Sequence, residues 1–209
     1  MKKNICLLRH ASIDPQYHSR YIGKTDLSIS EQGLLEIERV KEVLPSKFLE
    51  GKVYLSPSKQ CLETYNALGK HEYTNPELKE ELKEFDFGDI EGHRLQDLTN
   101  ENLSQFQEWG NFHPEFHFPN GEKILSFTNR AEKFINLIRS SENKNILIVS
   151  HGGILSLLLC IFLRLPSSSY LNFQILPSTI VLLELYQTGQ VALTGFIRCN
   201  SQRRCEWPG

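Results

Sequence analysis

The sequence predicts an α/β fold: a three-layer α/β/α sandwich with a mostly parallel central sheet and an irregular helical excursion over its active edge. Three observations lead there. Two short apolar runs, Ile5-Cys6-Leu7-Leu8 and Ile146-Leu147-Ile148-Val149, are bounded by polar residues and too brief for helices, so each reads as a buried strand. Segments of helical apolar spacing alternate with the strands, the order that packs helices on both faces of a parallel sheet. Both runs end on a histidine, in Arg9-His10 and in Ser150-His151-Gly152-Gly153. Carboxyl ends of parallel strands are where open α/β sheets gather their chemistry.

After His10, residues 11–26 are polar, contain Pro15 and Gly23 and keep no sustained period. Loops this long in compact domains usually serve binding. Ser30 stands as the N-cap of a helix whose apolar positions Leu34, Ile37, Val40 and Leu44 precede Pro45. Val53-Tyr54-Leu55 is a second strand ending in Ser56-Pro57, and a helix from Ser58 to Leu68 closes on Gly69. Between His71 and Gly121 the pattern is broken by Asn75-Pro76, Phe87-Gly88, Glu91-Gly92, Trp109-Gly110 and His113-Pro114. This stretch reads as a lid or insertion with short helices around Arg94 to Asn102 and Leu103 to Trp109. Its aromatic residues either wall a substrate or anchor the excursion to the core. The pattern then resumes. Ile124 to Ile138 is a helix with Phe127, Ala131, Phe134 and Ile135 on one face, followed by the strand at Ile146 and a buried helix from Ile154. Thr179 to Tyr186 and Val191 to Ile197 flank Gln187-Thr188-Gly189-Gln190 as a hairpin.

A chain of 209 residues that is 40% hydrophobic suffices for one domain over 1–209, with 71–121 as its insertion. Such a domain buries roughly 70% of the unfolded surface without a disulfide or metal staple. A net charge of −2 with evenly spread charges supplies no field for nucleic acid or an anionic membrane. The apolar run behind Met1-Lys2-Lys3-Asn4 stops at Arg9, too soon for a signal peptide, and Ile154 to Leu163 is about half a membrane span. A cytoplasmic monomer or homodimer is the expectation. Of the five cysteines, Cys6, Cys61 and Cys160 read as small core residues, while Cys199 and Cys205 fall in a polar tail.

If the two histidine-bearing strands are parallel neighbours, both imidazoles face one crevice. Arg9 adds a permanent planar cation able to grip a phosphate with two parallel hydrogen bonds. Such a pocket suits a phosphate monoester, so a small phosphorylated metabolite is the expected partner.

These residues resemble the histidine phosphatase superfamily, the phosphoglycerate-mutase-like fold. Arg9-His10-Ala11 resembles its Arg-His-Gly signature, and Val149-Ser150-His151-Gly152-Gly153 resembles its late Val-x-His-Gly-Gly. Tyr21-x-Gly23-x-Thr25-Asp26, then Ser30-x-x-Gly33, sits at the family's spacing, which places Arg20, Tyr21 and Gly23 beside the substrate. Ser56-Pro57 through Thr64 and the segment Leu82 to Gly92 resemble two further family segments. Within the superfamily, Trp109, Pro114, Phe116, Phe118 to Glu122, Phe127 and Arg130 look most like the bacterial α-ribazole phosphatases of cobalamin assembly. The resemblance implies that His10 attacks phosphorus and forms a phosphohistidine, with Arg9, His151 and the Gly152 amide on the equatorial oxygens. It also implies that Glu84 protonates the leaving alcohol, a task requiring a raised pKa.

The chain departs from the family pattern at three places. Ala11 replaces a glycine, Gln16 stands where an asparagine is expected and keeps the amide on a longer stem, and Gln60 occupies the position of a second phosphate arginine. By their positions Gln16 and Gln60 are expected to bind the phosphate with Arg9 and Gly152. Lys59 or Arg20 is then a candidate for the missing cation. The sequence leaves two alternatives to a hydrolase: a phosphoglycerate-type mutase, and a catalytically weakened regulatory protein that binds phosphate esters. His113 and His117 are spaced like zinc ligands, but Pro114 breaks the helix they would need, and no cofactor motif is present. No cofactor and no metal are expected.

Overall fold

Alternation along the buried strands decides how the layers form. In β1 (Lys2–Arg9), Ile5 and Leu7 face one hydrophobic cluster while Cys6 and Leu8 face another, so the strand needs cover on both sides. The computed structural model describes residues 2–69, 75–98 and 106–199. The remaining strands are β2 (Lys52–Leu55), β3 (Glu77–Leu78), β4 (Asn145–Ser150), β5 (Thr179–Tyr186) and β6 (Val191–Arg198). They form one six-stranded sheet in the order β3-β2-β4-β1-β5-β6. The first four in that order run parallel, and β5 and β6 add an antiparallel edge.

Helices α1 (Glu31–Val43) and α2 (Lys59–Leu68) cover the Cys6 and Leu8 face, burying Ile37, Val40, Cys61 and Tyr65. Helices α3 (Ile124–Ser140) and α4 (Gly152–Leu163) cover the opposite face together with the excursion. Ser30 caps α1 as expected, its hydroxyl accepting from the Gly33 amide at 3.1 Å. Gly69 ends α2 at φ 71°, a left-handed conformation that a side chain would strain.

The expected helix from Arg94 to Asn102 is not formed over its described part. Leu95–Asp97 makes one 3-10 turn and Leu98 is extended, with the rest outside the described residues. Of the helix expected over Leu103 to Trp109, residues 106–110 are helical. The excursion instead anchors by aromatic packing: Phe85, Phe116 and Phe118 are buried in the core cluster beside Phe127. Cys199 is also corrected, because it is buried against the α1 and α2 face rather than lying in a polar tail; Cys205 lies outside the described residues. No helix among the described residues is long and apolar enough to cross a membrane.

Candidate active site

Parallel pairing places Arg9 of β1 opposite Ser150 of β4, so the next residue of each chain segment emerges at the same sheet edge. His10 and His151 therefore meet, with ring centroids 5.1 Å apart and planes at 68°. They line a cavity of about 320 Å³ with Arg9, Arg20, Gln60 and Glu84.

The tautomer of His10 follows from its partner. Its Nδ1 lies 2.8 Å from the Ala11 carbonyl, which only accepts, so Nδ1 donates and Nε2 keeps its lone pair. The backbone around it is fully tied. The His10 amide donates to Ser150 O, the Ala11 amide to Thr64 Oγ1 and the Ser12 amide to Glu36, while Ser178 N donates to His10 O and Ser30 N to Ser12 O. Ala11 keeps a negative φ, which accounts for its tolerance in place of glycine. Burial, reinforced by the adjacent Arg9 guanidinium, depresses His10 to about 3. Burial and then the charges of His10 and Arg9 hold His151 well below its ordinary value too. The pocket thus holds two neutral imidazoles beside Arg9. His151 Nε2 lies 3.0 Å from Ser56 Oγ, which fixes its ring from behind.

Arg9 donates from Nη1 to the Ile175 carbonyl at 2.7 Å, while its buried Nε has no hydrogen-bond partner among the described residues. A Cβ at Gly152 would stand 3.0 Å from Arg9 Nη1, and one at Gly153 would stand 2.6 Å from Glu84 Oε1. The paired glycines let the start of α4 approach both groups. The Gly153 and Ile154 amides donate to the Glu84 carboxylate at 2.7 and 3.0 Å, and its own neighbour Phe85 donates to it at 3.0 Å. These bonds and the Arg9 charge favour the ionised form, but burial outweighs them and raises the Glu84 pKa.

Arg130 orients this acid from outside. Its Nη1 donates to the Glu81 and Lys83 carbonyls at 2.8 and 2.6 Å, and its Nη2 donates to Glu84 O at 3.0 Å. Glu122 grips the same guanidinium from Nε and Nη2 at 2.8 and 3.0 Å.

The other sequence-selected residues divide. Gln60 is 1% exposed and lines the cavity, its Oε1 accepting from the Leu27 amide at 3.3 Å. Arg20 lines the cavity as well, whereas Lys59 lies outside its lining and pairs with Glu63 at 3.9 Å. Gln16 is exposed in the turn Pro15–Tyr17 and lies outside the lining, because its backbone is turned by an Asp14 cap. Tyr21 packs against Phe87, Phe106 and Trp109. Gly23 is a point of close approach: its amide donates to Glu91, and a Cβ there would sit 2.0 Å from Phe85 O. Its requirement is steric.

Sequence reasoning missed Glu36, a buried carboxylate accepting from Ser12 N, Ser12 Oγ and Ser178 Oγ at 3.0, 2.8 and 2.9 Å. A charge on the buried face of an amphipathic helix is the signal that could have found it. It also missed Tyr17 and His18 at the cavity wall. Among the described residues no group of three His, Cys, Asp or Glu side chains could hold a metal ion, so His113 and His117 build no such site with a third ligand.

A second chamber of about 540 Å³ shares Arg9, Arg20, Ile22 and Glu84 with the first and continues along Tyr21, Phe87, Tyr170 and Phe173.

The family profile of the histidine phosphatase superfamily (branch 1) matches residues 5–196. The chain belongs to that superfamily. With this, the reading of the chain as a phosphoric monoester hydrolase stands. This histidine phosphatase is 28% identical over 170 residues to the adenosylcobalamin/alpha-ribazole phosphatase of Salmonella typhimurium, covering 81% of this chain and 84% of that one. It is 26% identical over 162 residues to a putative phosphoserine phosphatase 2 of Hydrogenobacter thermophilus, covering 76% and 78%. In fold it is similar to a putative alpha-ribazole-5'-P phosphatase from Escherichia coli, with a TM-score of 0.80, 23% identity and coverage of 93% and 95%.

Proposed function

We propose that this histidine phosphatase hydrolyses phosphomonoesters through a phosphohistidine on His10 Nε2, with an α-ribazole 5′-phosphate-like ester as substrate. The observation that carries the mechanism is the His10 Nδ1 bond to Ala11 O, which leaves Nε2 unprotonated beside Arg9 and His151. In the first step Nε2 bonds to phosphorus, the bond from phosphorus to the ester oxygen breaks, and protonated Glu84 gives its proton to the leaving alcohol. In the second step water attacks phosphorus, Glu84 takes the water proton, and the phosphorus–nitrogen bond breaks to release phosphate. Arg9, His151 and the Gly152 amide hold the equatorial oxygens. No donor bond of that amide to another described group competes for it.

The second chamber supports the choice of alcohol. Beyond the shared Arg9, Arg20 and Glu84, its described wall is uncharged, and Tyr21, Phe87, Tyr170 and Phe173 belong to its lining. A flat heterocycle joined to a neutral sugar fits such a wall. The ammonium and carboxylate of phosphoserine would lose hydration there, because the charged residues of the chamber, Arg9, Arg20 and Glu84, serve the phosphoryl group and the proton transfer in this mechanism.

The test is hydrolysis of α-ribazole 5′-phosphate against phosphoserine and an aryl phosphate, with rapid acid and alkaline quench. An alkali-stable, acid-labile phosphoenzyme and preference for the ribazole ester are expected. Tight ester binding without phosphoenzyme would instead favour the regulatory reading, and phosphoryl transfer between hydroxyls without phosphate release would favour a mutase.

A further inference from the structure

The charges around the cavity are unequal in a way that singles out Arg20. Most nearby basic side chains already have acid partners: Lys24 pairs with Asp86, Lys59 with Glu63 and Arg130 with Glu122. Arg9 and Arg20 do not. Among the described residues neither is ion-paired within 4.0 Å, and each is braced by main-chain carbonyls instead. Arg20 donates from Nε to Gln16 O at 2.8 Å and from Nη1 to Gly92 O at 2.7 Å. These two bonds tie its guanidinium to its own loop and to the excursion. Its Nη2 donates to no other described group. A carbonyl orients a guanidinium without neutralising it, so both arginines retain a full charge in a fixed direction.

Arg20 lines both the phosphate cavity and the second chamber, at their junction. Beside Arg20, the first cavity offers a phosphate dianion one other permanent cation, the buried neutral imidazoles of His10 and His151, the His18 imidazole on its wall and the Glu84 acid. Gln60, buried in its wall, donates no bond to another described group, and an amide brings no charge.

Resting on the phosphohistidine reading above, we propose that Arg20 is the second phosphate-gripping cation of this enzyme. The 11–26 loop delivers this charge to the cavity that Arg9 also lines. With Nε and Nη1 taken up by the two carbonyls, Nη2 is the donor left for a non-bridging oxygen of the ester. Arg20 therefore reads the phosphoryl group common to all substrates, not the alcohol.

The test is a double-mutant cycle on the full chain, with Arg20→Gln, Gln60→Arg and both together. Hydrolysis of an aryl phosphate and of α-ribazole 5′-phosphate is measured with competitive inhibition by orthophosphate. Calorimetric orthophosphate binding gives a readout that needs no turnover. Loss of one charge-assisted contact should lower kcat/KM about 10- to 100-fold for both esters and weaken orthophosphate by a similar factor. Arg20→Lys should recover part of this. In the Gln60→Arg background the same Arg20→Gln change should cost several-fold less, because a second cation is then present.

Unchanged orthophosphate affinity in Arg20→Gln would overturn the proposal. A loss confined to the ribazole ester would also overturn it and make Arg20 an alcohol reader. An equal loss in both backgrounds would show that Gln60→Arg does not occupy the same role and would remove the substitution argument. Failure of the hydrolase reading is separable: it shows as absent turnover in the wild type, while the orthophosphate titration still decides Arg20.

Discussion

The floor of the site and its wall are built on opposite principles. At the floor, the backbone of residues 10–12 is held by hydrogen bonds to four other segments: β4, α2, α1 and the turn before β5. At the wall, the excursion carries little regular structure and is held by rings, with Phe85 within 5.2 Å of Phe127 and Tyr21 within 4.7 Å of Phe106 between centroids. The difference matches the tasks. The attack on phosphorus proposed for His10 would tolerate little misplacement, and His10 is held by sheet and hydrogen bonds. An alcohol pocket needs shape, which apolar packing supplies without directional bonds. Glu84 belongs to the wall by sequence and, under the proposed mechanism, to the floor by task. Arg130 and the start of α4 convert it from one to the other.

The largest effect should come from removing the nucleophile at the floor. His10→Ala is expected to bring turnover of every ester to background and to abolish the quenched phosphoenzyme, with the fold intact by circular dichroism. Persistent wild-type activity would sink the mechanism.

Glu84→Gln comes next and is sensitive to the leaving group. An alkyl ester such as the ribazole phosphate should slow by about 10²- to 10⁴-fold, the range for general acids. An aryl phosphate with a good leaving group should slow far less. Equal losses on the two esters would mean that Glu84 does not carry the proton. Arg130→Lys loses the planar fork that fixes the Glu84 carbonyl, so kcat on the alkyl ester should fall while KM changes little.

Glu36→Gln tests how much the floor depends on its buried carboxylate. One of the three donors facing it would meet an amide hydrogen, and urea unfolding should show a loss of about 1–3 kcal/mol. A change within about 0.5 kcal/mol would mean that the network repacks freely.

Acid should loosen the floor before the wall. His10 and His151 are both shifted down in the folded chain. Between the unfolded value of about 6.5 and the folded His10 value of about 3, the unfolded chain binds more protons. Stability therefore falls as pH drops through that window. Glu84, shifted up, opposes this trend because its folded form gains a proton first on acidification. Denaturant midpoints from pH 7 to 4 should fall in the wild type and fall less in His10→Ala.

Much of the floor was legible in the chain. Two apolar runs short enough to be strands, each ending on histidine, located Arg9, His10 and His151, and β1 and β4 indeed pair in parallel. Strand alternation and helix spacing are local, so composition over a few residues suffices to read them. The wall was legible only as a break in pattern. Leu95–Asp97 forms a 3-10 turn instead of a helix, and Gln16 turns outward under the Asp14 cap, because these segments follow packing and capping.

What the sequence determined by itself was the layer order, the strand ends that carry the chemistry, and the residue types available there. What only the tertiary structure decided was which of those groups remain charged and where they point. Burial holds two histidines neutral and raises Glu84, and main-chain carbonyls leave Arg20 without an ion pair among the described residues, where two cavities share it. Charge state and direction depend on neighbours brought together from distant parts of the chain, and no local pattern encodes them.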